Sequence, residues 1–364
     1  MGSYQNIVMC TDNLIDKKKA LQDISEVVSV KELDQGINLI NVAEEFWSEK
    51  SYLLGEKQPV NYLVLLQNDN ELRANGGFFG SYAVVTVDEG RAEFEFQDIY
   101  VPDGQLDGHV KPPEPIQQAF KSGQWRLRDS DWSADFSVSA KQIRWFFEKG
   151  NEERADNIVT LPLSIMKEIV TIMGPIEVSE YDKEVTGDNL MLWLQNESEV
   201  DFFPGSTQKK DAINAAGKAV WNRFSQISWN KKLQIASLIV NELNRGNILV
   251  NSEYSPLQLK LEEKDWAGTL ADKAWSSHSD WVSDEYLLVE SNLGANKANC
   301  CVNRETVHQL AIDDDKISHH VRVEFENKSI KENPEPPYFY GGNYIAYLRF
   351  FIPDQAINVG VKAA

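Results

Sequence analysis

The stretch Asn68-Asp69-Asn70-Glu71-Leu72-Arg73-Ala74-Asn75-Gly76-Gly77-Phe78-Phe79-Gly80-Ser81 puts an arginine, acids and a glycine pair into one polar segment between two apolar runs. A glycine pair lets the backbone turn sharply and present amide N–H groups to an anion. Arg73 in the same segment can fork onto a phosphate or carboxylate. Asn68, Glu71, Gly76, Gly77 and Ser81 complete a candidate ligand-binding set around it. The plainer reading of the same pattern is a structural turn with a surface arginine. The Gly-Lys-Ser/Thr ending of a P-loop is absent, and so is a dinucleotide fingerprint.

A second cluster runs Arg126-Leu127-Arg128-Asp129-Ser130-Asp131-Trp132-Ser133-Ala134-Asp135-Phe136. Asp129, Asp131 and Asp135 fall within seven residues, beside two guanidiniums. Mg²⁺ takes one or two carboxylates and fills its shell with substrate phosphate oxygens, so this trio is a candidate metal set. The competing reading is an Asp/Ser turn capping a helix that begins near Ser137. Trp132 joins the ligand-binding candidates because an aromatic face can stack on a sugar ring, although most of the ten tryptophans belong to packing. His109, His278, His308, His319 and His320 lack metal-ligand spacing, and there is no Gly-x-Ser-x-Gly nucleophile turn.

These clusters need strands and helices to hold them. From about residue 13 to 52, apolar residues recur at three- and four-residue steps, predicting helices with Gly36 as a candidate break. They form either a hairpin packed on the body or a stalk. Asn61 to Gln67 reads as a strand buried on both faces, Phe78 to Val87 as a second, and Arg91 to Ile99, which alternates well, as a third. Pro102 to Pro115 reads as a long loop. A helix over Ser139 to Lys149, a strand at Asn157 to Leu161 and a helix over Pro162 to Met173 follow, with a strand starting at Ile176. Residues 188 to 247 are mostly helical, broken at Pro204-Gly205. After Asp284, strand-like runs at 286–292, 298–302, 319–326 and 344–352 predict an antiparallel sandwich with few contacts to the glycine loop.

The bulk numbers narrow the function. Of 364 residues, 42% are hydrophobic and 25% charged, which are globular values, and 56 acids against 36 bases leave a net charge of −20. Such a field repels nucleic acid and anionic membrane surfaces, so a membrane is expected as a partner only through an anchor, and the runs Lys17-Lys18-Lys19, Lys209-Lys210 and Lys231-Lys232 read as solvated faces. Three cysteines, Cys10, Cys300 and Cys301, make no disulfide framework or zinc site. No stretch reaches the ~20 apolar residues of a membrane span.

Taken in order, three segments resemble the bacterial family known as domain of unknown function 4012. They are Asn68 to Ser81, Arg128 to Phe136, and Gly174-Pro175-Ile176-Glu177-Val178. Ser291 to Asn299 and Asn343 to Arg349 with Pro353 look like further family motifs. The layout from strand to Arg-bearing loop to hairpin, with Asp98 ending the third strand, is more distantly similar to the LytR-CpsA-Psr proteins. So is Ala155 to Val159, followed by a helix and Gly-Pro.

That second resemblance implies a mixed-sheet α/β sandwich for the core (58–283), which the patterns above precede with an N-terminal helical segment (1–57) and follow with a C-terminal β-sandwich-like module (284–364). It implies an extracytoplasmic, membrane-anchored cell-envelope protein handling a polyprenyl-pyrophosphate-linked glycopolymer or cell-wall glycan, with Mg²⁺. By that layout its catalytic roles would fall on Arg73 and Asp98, with Arg128 and Asp129 replacing the family groups missing here only if the fold brings them close. Two departures stand out. Gln97 precedes Asp98 where that family has an arginine, and Arg73-Ala74-Asn75-Gly76-Gly77 replaces its Arg-Ser-Asp loop. The alternative function is a non-catalytic surface module for glycan or protein.

Overall fold

A computed structural model describes residues 3–27, 31–199, 208–270, 286–313, 316–329, 331, 340–353 and 356–362. Helices α1 (Ser3–Asp16), α2 (Lys18–Val27) and α3 (Lys31–Phe46) come first, followed by a short α4 (Lys50–Leu53). Gly36 does not break α3, because the apolar spacing through Ile37 and Ile40 buries that face and outweighs one poor helix former. The helices lie against the body: the Tyr4 N–H donates to the Glu89 carbonyl at 2.8 Å, and Phe46 stacks on Trp266 at 5.3 Å.

The centre is a five-stranded mixed sheet of order β3-β2-β1-β4-β7. Its strands are β1 (Val60–Asn68), β2 (Phe78–Asp88), β3 (Arg91–Asp98), β4 (Asn157–Pro162) and β7 (Val250–Ser252). Only the β1–β4 pairing is parallel. Register explains why β1 is apolar on both faces. Leu63 and Leu65 turn into a core with Tyr82 and Phe79 beneath α7 (Phe136–Lys149), whose Ile143 and Phe147 meet them. Val64 and Leu66 turn the other way, beside Ala83 and Ser81 on β2 and Phe96 and Asp98 on β3.

That second face looks toward α8 (Leu163–Met173), α9 (Leu190–Glu199), α10 (Gln208–Gln226) and α11 (Trp229–Asn244). These helices form a separate apolar core with a two-stranded ribbon, β5 (Ile176–Val178) and β6 (Lys183–Val185), and with α12 (Ser255–Glu263). Gly217 lets α10 lie directly on β3, since a Cβ there would fall 2.1 Å from the Phe96 ring.

The long loop expected over Pro102 to Pro115 is present at 105–113, shortened at its ends by two short helices, α5 (Tyr100–Gly104) and α6 (Glu114–Phe120). Beyond the core, β8 (Leu287–Asn292) pairs antiparallel with β11 (Ala346–Phe351), and β9 (Val302–Asp313) with β10 (Lys316–Asn327). Residues 298–301, expected in a strand, form a 3₁₀ turn that brings the Cys300 and Cys301 sulfurs 2.8 Å apart as free thiols. The proposed boundary at 283/284 and the Pro204-Gly205 break lie outside the described residues.

Candidate functional site

Between the β1–β3 face and helices α8–α10 lies a cavity of about 1590 Å³. Strand register gives it two ends. Val64, Ala83, Val85, Phe94 and Phe96 line the stretch under the helices, which add Met166, Ile169, Leu194, Val220 and Phe224. At the other end, β1 runs out at Asn68, β2 begins toward Ser81, and β3 finishes at Asp98. There the lining turns polar, with Glu71, Arg73, Arg126, Arg128 and Asp129.

Arg73 is only 6% exposed. Its Nη1 donates to the Asn292 carbonyl at 2.8 Å and to the Leu72 carbonyl, and Nη2 donates to Glu71 Oε1 at 2.8 Å. Nη2 also stands 3.9 Å from Asp129 Oδ1. Arg128 packs over the Tyr100 ring at 5.0 Å and pairs with Asp103 at 3.2 Å, while its Nε is 3.9 Å from Asp129 Oδ2. Asp129 therefore sits between two guanidiniums without a tight bond to either. Burial raises its carboxyl pKa, against the pull of Arg73 and Arg128. An anion entering the mouth meets two cations held in position by other partners.

The glycine pair shapes the loop and stands outside the cavity lining. Gly76 has φ +122°, and a Cβ on Gly77 would fall 2.4 Å from the Asn68 carbonyl oxygen, so the loop closes on β1 only with glycine there. Gly77→Ala is expected to lower stability by about 2–3 kcal/mol through backbone displacement. Gly36→Ala, with open space around it inside a helix, should raise stability by about 0.5–1 kcal/mol. Urea denaturation of the two variants checks the contrast; equal effects would mean the loop tolerates a side chain.

The acidic cluster separates into three different environments, which corrects the expectation of a three-carboxylate metal set. Asp135 caps α7: Oδ1 accepts from the Val138 N–H and Oδ2 from the Leu270 N–H. Asp131 is 1% exposed behind Arg73, and neither of its oxygens has a hydrogen-bond partner. Asp129 alone of the three lines the cavity. Among the described residues no group of three or more His, Cys, Asp or Glu side chains is arranged to hold a metal ion. Trp132 also leaves the ligand-binding set: its ring lies under the Arg349 guanidinium at 4.7 Å and beside Tyr347, packing on β11.

Gln97 pairs with Tyr82 across β2, so it points to the sheet face away from the cavity, and its amide donates to Glu95. The third guanidinium of the mouth is instead Arg126.

Several site residues were not legible as such. Asp103, 4% exposed, accepts the Leu127 N–H at 2.7 Å and orients Arg128. Its sequence context, Pro-Asp-Gly, reads as an ordinary turn. The C-terminal module was expected to stand apart from the glycine loop, and the structure overturns this. The Asn292 N–H donates to the Leu72 carbonyl and the Asn299 N–H to the Asn70 carbonyl; Asn299 Nδ2 donates to the Asp69 carbonyl. Leu293, Lys297 and Tyr340 join the lining. The Asn-rich run was the available signal: Asn292 and Asn296 bond each other and the nearby backbone, fixing this turn against the loop.

Residues 57–198 match the family model described as Protein of unknown function (DUF4012), the family whose motifs are read above. No curated protein matches the chain. Solved structures with a similar course include protein gbs0355 from Streptococcus agalactiae, at 14% identity and TM-score 0.37, covering 58% of this chain and 75% of that one. TagV from B. subtilis has 14% identity and TM-score 0.33, covering 64% and 87%. TagT bound to LIIa-WTA has 8% identity and TM-score 0.33, covering 59% and 76%.

Proposed function

We propose that this chain, whose residues 57–198 carry the DUF4012 match, is a membrane-anchored, extracytoplasmic cell-envelope protein that binds a polyprenyl-pyrophosphate-linked glycopolymer and presents its headgroup for phosphotransfer. The observation that carries this reading is one cavity divided into an apolar chamber and an arginine-lined mouth. Its volume exceeds the roughly 300–1,000 Å³ of ordinary small-molecule pockets, which fits a long hydrocarbon better than a compact ligand.

In this reading the prenyl chain lies among Phe94, Phe96, Met166 and Val220, where apolar surface leaves water. The diphosphate rests at the mouth on Arg73 and Arg128, with Arg126 beside them. In a site walled by protein, these charge-assisted contacts are stronger than in open water. Asp98, whose Oδ1 takes the Tyr100 N–H at 3.0 Å, is the carboxylate at the strand end that would accept the proton of a hydroxyl attacking the glycan-bearing phosphorus, as the P–O–P bridge breaks and the prenyl phosphate leaves.

Mg²⁺ fits this mouth through one protein ligand. Asp129 faces the cavity with both oxygens 3.9 Å from the nearest guanidinium nitrogens, so it would hold the ion while phosphate oxygens complete the shell. Bound there, the ion would neutralise charge on the diphosphate.

Calorimetry with a soluble short-chain prenyl pyrophosphate, with and without Mg²⁺, tests the reading. Arg128→Ala is the informative variant, because its side chain is one-third exposed where that of Arg73 is 6% exposed. Affinity should fall roughly ten- to a hundredfold, the loss of one charge-assisted contact of about 1.5–3 kcal/mol. Absence of binding in the wild type, or equal affinity for the corresponding prenyl alcohol, would remove the headgroup site and leave the surface-module alternative.

A further inference from the structure

The chain is strongly acidic, yet the 30 residues from Ala212 to Asn241 contain no aspartate or glutamate. They carry Lys218, Arg223, Lys231 and Lys232. Among the described residues, none of these four cations lies within ion-pair distance of a carboxylate. Arg223 Nε and Lys231 Nζ both donate to the Met173 carbonyl, at 3.3 and 3.1 Å, and Lys232 Nζ donates to the Ser225 carbonyl. These bonds hold the cations around the turn between α10 and α11 without neutralising them. Two lysines in the first turn of α11, with no acid there, also oppose the helix dipole.

The same corner exposes large aromatic surface. Trp229 is 70% exposed and Trp221 48%. Trp221 meets Phe94 edge-on at 5.5 Å, and both Trp221 and Phe224 line the apolar end of the cavity. The acids of neighbouring β3, Glu93 and Glu95, alternate with Phe94 and project to the opposite sheet face.

We infer that the corner joining α10 to α11 is a docking surface for an anionic lipid bilayer, laid against the apolar end of the cavity. Indole rings settle at the headgroup level, and lysines gain from anionic lipid within about 10 Å, the range over which salt screens the remaining negative charge of the chain. A bilayer seated here meets Trp221 and Phe224 at the cavity's apolar end, opposite the arginine mouth. The inference rests on the lipid-pyrophosphate reading for the direction of lipid entry, while the surface itself rests on charge and exposure.

Vesicle co-sedimentation of the full chain tests it, comparing pure phosphatidylcholine with phosphatidylcholine containing phosphatidylglycerol. The wild type should bind the anionic vesicles and weaken as salt rises. The combined variant Trp229→Ser, Lys231→Glu, Lys232→Glu, at residues outside the cavity lining, should bind them at least tenfold more weakly. Its affinity for the soluble prenyl pyrophosphate should be unchanged. Should the triple variant fold poorly, Trp229→Ser alone carries the same comparison with a loss of several-fold. No binding of the wild type to anionic vesicles, or equal binding by the variants, overturns the surface. If vesicles bind as expected and the prenyl pyrophosphate does not, the headgroup reading fails and this surface stands.

Discussion

Arg73→Ala should both unfold the protein readily and abolish ligand binding, the largest loss expected from any single side chain here. The guanidinium is buried and holds four groups at once: the carbonyls of Leu72 and of Asn292, which is itself fully buried, the carboxylate of Glu71, and at longer range Asp129. Alanine leaves the Asn292 carbonyl without this donor and Glu71 without its cation, and leaves Asp129 to Arg128 alone. Removing one partner of a buried ion pair costs about 3–5 kcal/mol, because the other charge stays desolvated. That is a large fraction of the stability of most domains. The midpoint of urea unfolding should fall accordingly, and an unchanged midpoint would mean that Arg73 is not the clamp described. Arg73→Lys separates the two roles. An ammonium keeps the charge but lacks the planar fork that reaches Asn292 and Glu71 together. The lysine variant should therefore recover part of the stability and still bind prenyl pyrophosphate at least tenfold more weakly.

Much of the architecture was legible because it follows local periodicity. The alternation of Phe94 and Phe96 against Glu93 and Glu95 gives β3 and its two faces. The short apolar runs at 61–67 and 157–161 correspond to neighbouring strands of the central sheet. The reading of β1 as buried on both faces was right in pattern, but half of that apolar character faces a cavity. Sequence cannot distinguish a strand face that packs on side chains from one that lines a chamber, since both keep water away. Gly36 was misread as a break because a propensity of about 1 kcal/mol yields to a buried helix face. The 298–301 turn was misread because cysteine and alanine carry no turn signal, while the Asn residues that set it act through long-range bonds.

The candidate site was legible in part. Arg73, Arg128, Asp129, Asp98, Asn68, Glu71 and Ser81 do gather around one cavity end. Asp131, Asp135 and Trp132 do not, although they belong to the same short run. The reason is geometric. Asp135 faces the start of a helix and satisfies its open N–H groups, the alternative that the sequence already offered. Trp132 and Asp131 face the C-terminal sheet, whose packing against the loop is a contact between residues over 200 positions apart. Such contacts leave no trace in local spacing. Nor does Asp103, which becomes a partner of Arg128 only when α5 folds back under the 127–129 turn.

Asp131→Asn is expected to stabilise the protein at pH 8 and to flatten its stability between pH 4 and 7. Both oxygens of Asp131 are buried without hydrogen-bond partners, and Ser291 Oγ and two nitrogens of Arg349 are likewise unpartnered. Burial pushes the Asp131 carboxyl up from 3.8 to about 7, with Arg73 only partly opposing it. The sign follows from proton counting. Below pH 4 the group is protonated whether the chain is folded or unfolded, so it carries no penalty. Between pH 4 and 7 the unfolded chain releases the proton while the folded one keeps it, and stability falls as pH rises. Above pH 7 the folded protein holds a buried charge and the penalty is constant. A shift of that size corresponds to up to about 4 kcal/mol, at 1.36 kcal/mol for each pH unit. An amide of the same shape cannot ionise, so the difference in unfolding free energy between Asp131→Asn and wild type should grow from pH 4 to 7 and then level. Urea denaturation across that range measures it, and a difference that stays constant with pH would mean that Asp131 is ionised in the native protein. If the growth is seen, the native state retains an acid that weakens it at neutral pH, directly behind the arginine at the cavity mouth. Comparing prenyl-pyrophosphate affinity in the same two proteins at pH 6 and 8 then tells whether that acid's charge also acts on the Arg73 clamp. An affinity that falls more from pH 6 to 8 in wild type than in Asp131→Asn is the expected result, because ionising Asp131 adds a third carboxylate, after Glu71 and Asp129, near the cation that holds the phosphate.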